Sequence, residues 1–327
     1  MKRFIIAVIM LFTSFSYAEN DVDFFSFTLE NDAFVRDDGL YTGGLIATWG
    51  YDDVERLDKQ TLPDWLAYLA QKSYLNTQQD KRYSITYSVA HLSQTAIDIK
   101  VSELIEEDAP YVGMLGWGGQ LTAYDQLIID RLSLTLGMVG PVVGAEFVQE
   151  VVHEAIDANE PQGWDHQIDN EPVFRLQVER SWRVYEKTLG STELDLVTAV
   201  NSGIGNLRSD IGAGVGLRWG LDLQSNFSSA DAFPAQKLNG GHNSPNGWYC
   251  FANASAFYVV NDIFMDGNTF QDSHSVNLIH QQYGVSLGVM ANIYNWNIVY
   301  TLLQLSDQYH SQSERSRFGS LTLTYYF

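Results

Sequence analysis

Three short stretches carry the side chains best suited to acid–base and oxygen-donor chemistry. Glu30-Asn31-Asp32-Ala33-Phe34 sets an amide oxygen beside a carboxylate. Tyr41-Thr42-Gly43-Gly44-Leu45 offers a hydroxyl followed by two residues without side chains. Gln149 and His153 are four apart, so on a helix both project from one face. That face borders a stripe of valines, and partial burial there favours neutral imidazole, the form a general base needs. Each stretch also has a plainer reading. A lone helical histidine can be a packing residue, Asn-Asp can end a strand by bonding its own backbone, and Thr-Gly-Gly can be hairpin chemistry.

Elements must hold these residues in place, and alternation supplies most of them. Leu321, Leu323, Tyr325 and Phe327 share one parity, while Ser320, Thr322, Thr324 and Tyr326 share the other. A period of two is that of a strand with unlike faces. The pattern recurs in about twelve segments, near 23–31, 44–51, 82–91, 111–123, 130–139, 173–183, 193–202, 211–221, 249–260, 280–290, 294–304 and 316–327. Transmembrane strands need about 9–11 residues and come in even numbers in bacterial barrels. The reading is therefore an all-β chain, a transmembrane antiparallel β-barrel of about 12 strands. It carries one or two short helices in extracellular loops. A soluble β-sandwich is the competing architecture. Arg175, Glu179 and Asp195 fall on the polar parity and are expected inside. Phe25, Phe27 and Leu29 read outward, which puts Asn31 outward and, if the period continues, Asp32 inward. The candidate residues then sit at the barrel rim.

Two segments have helical rather than strand spacing. Leu62, Leu66, Leu69 and Ala70 form one stripe, with Pro63 and Asp64 in a first turn. Val148, Val151, Val152, Ala155 and Ile156 form the other, with Glu146 near its N-terminus. The long stretches 222–248 and 261–279, rich in Ser, Asn, Gly and Asp, read as solvated loops.

Residues 1–18 read as a signal peptide. Lys2 and Arg3 precede an apolar run from Phe4 to Phe15, and Ser16-Tyr17-Ala18 ends it with small residues at the first and third positions. An N-terminal anchor is the alternative, but the run is short of the roughly 20 residues of a span. Residues 19–327 are then one outer-membrane β-barrel domain. No later segment has the apolar length of a membrane helix. The net charge of −21 argues against nucleic acid as a partner, and the single cysteine, Cys250, excludes an intramolecular disulfide.

Taken in order, the motifs become specific. Glu30-Asn31-Asp32-Ala33-Phe34, Tyr41-Thr42-Gly43-Gly44-Leu45, Asp108-Ala109-Pro110-Tyr111-Val112-Gly113, Gly140-Pro141 with Gln149 and His153, and Gln162-Gly163-Trp164-Asp165-His166-Gln167 follow one another at suitable spacing. The series resembles the lipid A 3'-O-deacylase family of Gram-negative outer membranes, over nearly the whole mature chain. The resemblance implies a twelve-stranded barrel and an esterase that removes the 3'-linked acyloxyacyl chain of lipid A in lipopolysaccharide. It implies a calcium ion, with Asp32 and Asn31 as oxygen ligands, and His153 as the base that activates water. Thr42, Gln149 and Asn31 would position water or the carbonyl. Some members carry a glutamate six residues after the histidine. Here that position is Asn159, so Glu154, Asp157 and Glu160 are the acids available to orient the imidazole. Lys100 is the one basic residue available just upstream of the Asp-Ala-Pro-Tyr motif. The expected partners are lipid A and outer-membrane lipid, with the chain a monomer in the bacterial outer membrane. Competing readings are a phospholipase-like acyl hydrolase, for which His274-Ser275 is a poor pairing, and a non-enzymatic or vestigial barrel.

Overall fold

The computed structural model describes residues 22–35, 41–57, 62, 64–77, 81–156, 160–233 and 247–327. The signal peptide read over residues 1–18 lies outside them. Twelve strands close into one antiparallel barrel. They are β1 Phe24–Asn31, β2 Tyr41–Val54, β3 Arg82–Gln94, β4 Val112–Tyr124, β5 Ile128–Val139 and β6 Glu171–Leu189. The second half comprises β7 Thr192–Ile204, β8 Arg208–Leu221, β9 Trp248–Asp262, β10 Gln281–Ile293, β11 Trp296–Leu305 and β12 Arg317–Tyr326. Each strand pairs with its sequence neighbours, and β1 pairs with β12 to close the sheet. Closure leaves no unpaired edge, which lipid could not satisfy. The strands match the segments of alternating polarity, with β6 running on past residue 183.

Alternation is visible as burial. Along β10, Tyr283, Val285, Leu287 and Val289 are exposed while Gln282 and Ser286 are buried. An apolar belt around a polar interior is the arrangement of a barrel in lipid. Inside, charges are paired, since a bare buried ion is expensive. Arg218 donates to Asp195 at 2.5 and 3.0 Å. Arg131 pairs with Glu179, and Arg208 bridges Asp210 and Asp262, both at 2.7 Å. Arg175, Glu179 and Asp195 are thus interior, as their parity requires. A cavity of about 400 Å³ remains, lined by Glu30, Arg131, Arg175 and Asp262 among others.

Both ends of the barrel chain lie at one rim, with the tight connections 125–127, 190–191 and 294–295, which marks the periplasmic end. Among the described residues, three short α-helices lie outside the strands: α1 Asp64–Lys72, α2 Ala145–Ile156 and α3 Ile263–Asp266. The helices α2 and α3 belong to extracellular connections. The helix α1, expected from Leu62 to Ala70, joins β2 to β3 and lies at the periplasmic end.

The expectation of a solvated loop after β8 is wrong for residues 222–233. Phe227 and Phe233 are buried against the wall. Interior arginines hold the segment by its carbonyls. Arg218 donates to Asn226 O at 3.0 Å, Arg183 to Leu223 O at 3.2 Å, and Arg131 to Ala230 O at 2.8 Å. Its polar composition serves interior hydrogen bonding rather than solvation, because the lumen is itself polar. The connection after β9 is also partly buried. Met265 packs with Ala109 and Tyr309, and Gln94 donates to Phe264 O at 2.8 Å.

Candidate functional site

The site begins with strand register. Asn31, the last residue of β1, stands opposite Gly43 on one side and Gly319 on the other. Gly43 stands opposite Ser93, and Ser93 opposite Gly113. Directly paired residues share a face, so Gly319, Asn31, Gly43, Ser93 and Gly113 form one row across β12, β1, β2, β3 and β4. Glu30 and Gln94 line the interior cavity, and side chains alternate along a strand. The row therefore faces outward, at the extracellular rim. Three of its five residues have no side chain, and with the end glycines Gly319 and Gly113 covered by neighbouring chain, a shallow trough about 10 Å across, two strand spacings, remains over Asn31, Gly43 and Ser93.

Two pieces of chain border the trough. The 3-10 turn Asp32–Val35 folds back over β12, and a Cβ on Gly319 would lie 2.5 Å from the Phe34 Cβ. Phe34 meets Tyr300 edge-on, with ring centroids 6.1 Å apart. At the far side α2 lies on β3 and β4. A Cβ on Gly113 would come within 2.4 Å of the Ala145 Cβ and 2.8 Å of Val143 Cγ2, so only glycine lets the helix approach this closely. His91, on the outer face one row below, donates from Nε2 to the Val143 carbonyl at 3.3 Å. That bond ties the turn Pro141–Val143, which leads into α2, to the wall.

Ala145 and Gln149 lie one turn apart on the wall-facing side of α2. Gln149 is only 4% exposed, and its Oε1 accepts from Trp164 Nε1 at 3.0 Å. Trp164 meets Tyr111 edge-on at 5.1 Å, and both pack with Ala96 and Ala145. Burial pushes the Tyr111 phenol up to about 12, so it stays protonated. The Asp-Ala-Pro-Tyr and Gln-Gly-Trp motifs thus meet under α2 and seat it. Asp108 accepts from Ile97 N at 2.8 Å and Tyr309 Oη at 2.7 Å, joining the loops after β3 and β11.

The candidate residues divide accordingly. Asn31 is on the trough floor. Asp32 opens the 3-10 turn, so strand parity stops at Asn31 and does not assign Asp32 to the interior. Thr42 is the backbone bulge of β2, where the register with β3 slips between Tyr41 and Gly43. Gln149 is on the roof. The side chains of Thr42 and His153, and residues Asp157 and Asn159, lie outside the described residues. Glu154, Glu160 and Lys100 are exposed. Sequence reading assigned no role to Trp164 or His91. Trp164 lay inside a quoted motif, but its partner, 15 residues away, shows only in the fold.

Among the described residues no group of three or more His, Cys, Asp or Glu side chains is placed to hold a metal ion. The donors that Asn31 and Asp32 bring are oxygens, the ligand type of hard cations such as calcium, which also accept carbonyls and water. By donor chemistry the rim fits such an ion.

The family model described as outer membrane protein LpxR matches residues 4–327. Among solved structures the fold is similar to LpxR from Salmonella typhimurium, with a TM-score of 0.75 and 15% identity over 93% of this chain and 100% of that one. The β domain of the Bordetella autotransporter BrkA aligns with a TM-score of 0.46 and 10% identity, over 94% and 100%. The translocator domain of NalP from Neisseria meningitidis aligns with a TM-score of 0.42 and 10% identity, over 100% and 96%. No curated protein sequence matches the chain. A model that spans almost every residue, on a twelve-stranded barrel of the same form, shows that this chain belongs to the LpxR family of outer membrane proteins.

Proposed function

We propose that the protein is a lipid A 3'-O-deacylase, working as a monomer on lipopolysaccharide in the outer leaflet. The observation that supports this best is the outward trough, with Asn31 on its floor and Gln149 on its roof. A site on the lipid side of the wall takes an acylated substrate from the membrane laterally. A porin's chemistry would lie in the lumen. Here the segment 222–233 occupies the periplasmic part of the lumen, which speaks against a pore. The phospholipase-like alternative has little support, because His274 lies on an exposed loop, 3.4 Å from the Glu106 carbonyl oxygen.

In this reading His153 takes the proton of a water whose oxygen attacks the ester carbonyl. The same proton then passes to the 3'-oxygen as the ester bond breaks, releasing a fatty acid and a free hydroxyl. Gln149, whose oxygen is held by Trp164, positions the carbonyl or the attacking water. Thr42 and Asn31 position water at the floor. Asn31 and Asp32 would hold the calcium ion that the family implies, which supplies positive charge for the developing oxyanion.

Expression in an outer membrane whose lipid A is hexa-acylated, followed by mass spectrometry, tests the proposal. Loss of the 3' acyloxyacyl mass is expected, with none in a His153→Ala variant that still inserts. An unchanged lipid A spectrum for the folded wild type would defeat it.

A further inference from the structure

The connection between β2 and β3 is long for the periplasmic end, and it carries α1. The wall residues that α1 buries fix its location. Leu66, Ala67 and Ala70, with Leu62 and Leu75 nearby, form one cluster with Tyr83, Ile85, Leu121 and Ala123. Ser88, Ala90 and Leu92 of β3 and Gly116, Gly118 and Gln120 of β4 line the interior cavity. The odd-numbered residues of these strands therefore face outward, and α1 lies against the outside of the barrel.

Its level follows from Tyr87, which packs on the same cluster. Tyr87 also stands in an outer ladder with Trp49 and Trp117, at ring centroid distances of 6.1 Å. Aromatic ladders mark the membrane interface, so α1 starts where that girdle ends. Beside it, the outward carboxylate of Asp130 is 0% exposed and paired with Lys81 at 2.8 Å and Arg180 at 2.5 Å. The Tyr74 hydroxyl, just after α1, donates to the Arg131 carbonyl at 3.1 Å. A wall carrying an ion pair is costly against acyl chains, and the α1 segment covers it.

The opposite face of α1 presents Tyr68, 60% exposed, and Leu69, 46% exposed. Lys72 is also exposed, its Nζ 6.0 Å from the Tyr68 ring centroid. These residues continue the exposed apolar belt of the barrel past the girdle. An aromatic, an aliphatic and a lysine that can extend its ammonium toward water are what an interfacial helix presents to lipid. We infer that α1 is an interfacial helix seated on the inner-leaflet phospholipid surface, with Tyr68 and Leu69 entering the boundary between headgroups and acyl chains. Such helices bury their apolar face about 5–10 Å into that boundary. The wall formed by β3 and β4 is then held at both leaflets, by α1 below and by α2 above.

A spin label on Leu69→Cys, in the full chain with Cys250→Ser, tests the seating in phosphatidylethanolamine and phosphatidylglycerol vesicles. Leu287→Cys on the lipid-facing wall and Asp272→Cys on an extracellular loop are the references. Heat-modifiable gel mobility confirms that each variant is folded. The label on residue 69 should collide several-fold more with oxygen than with an aqueous nickel chelate, as at residue 287. Chelate collisions equal to those at residue 272 would overturn the inference. So would spin–spin broadening, which would mean that a second copy covers the helix.

Discussion

Substituting Gly113 by alanine tests whether the seating of α2 governs the site. The new Cβ would stand 2.4 Å from the Ala145 Cβ and 2.8 Å from Val143 Cγ2. Carbon atoms in contact sit about 3.5–4.0 Å apart, so the helix N-terminus must retreat by about 1.1–1.6 Å. The β4 backbone cannot yield in its place, since it is paired on both sides with β3 and β5. Gln149 rides on that helix one turn later, and position 153 follows. A displacement of about 1 Å between catalytic groups and substrate costs roughly 100-fold in rate, or about 2.7 kcal/mol of transition-state stabilisation. The expected result for Gly113→Ala is therefore a drop in kcat of about two decades, with the barrel intact by heat-modifiable mobility. Ala145→Gly in the same chain removes the nearest clashing atom and should recover much of the loss. The assay follows release of the 3' acyl group from purified lipid A in detergent by mass spectrometry. Wild-type turnover in the folded Gly113→Ala variant would refute the reasoning, as would a loss that Ala145→Gly leaves untouched.

Trp164→Phe keeps the ring packing against Tyr111 but removes the donor to Gln149. The lost hydrogen bond orients Gln149 and is worth about 0.5–1.5 kcal/mol, so kcat should fall roughly 2- to 10-fold with KM nearly unchanged; equal activity would remove Trp164 from the positioning role. A chelator should stop turnover and calcium should restore it, whereas full activity in chelator would dismiss the ion. Tyr309→Phe takes a hydrogen bond from the buried Asp108 carboxylate, worth about 1.5–3 kcal/mol, and should raise amide exchange over residues 97–109. Burial and the Asp108 charge lift the Tyr309 phenol far above its ordinary value. The native state therefore keeps the proton, and the stabilisation is complete below the unfolded pKa of about 10. It fades as pH climbs from there toward the raised native value, and with it the wild-type advantage over Tyr309→Phe. An advantage that grows over that range would contradict the assigned environment.

Much of this was legible from residue order. Twelve strands follow from a period of two, which covalent geometry imposes locally, and the valine stripe at helical spacing marked α2 for the same reason. The polar parity of Arg175, Glu179 and Asp195 correctly put charge inside. Reading failed where composition was taken for environment. Residues 222–233 look like a solvated loop, because a polar lumen and water select the same side chains. Similarly, the stripe from Leu62 to Ala70 announced a helix, but nothing in it says whether it packs inside the barrel, outside, or at which end.

The sequence by itself determined the strand count, the faces, the ordered motifs and the family, since each rests on spacing along the chain. Tertiary structure decided where those faces meet. Gly319, Asn31, Gly43, Ser93 and Gly113 are far apart in sequence and become one outward row only through the register of a closed sheet. Trp164 reaches Gln149 only because α2 folds back over that row. Register couples every strand to its neighbours around the ring, and no local pattern carries that information.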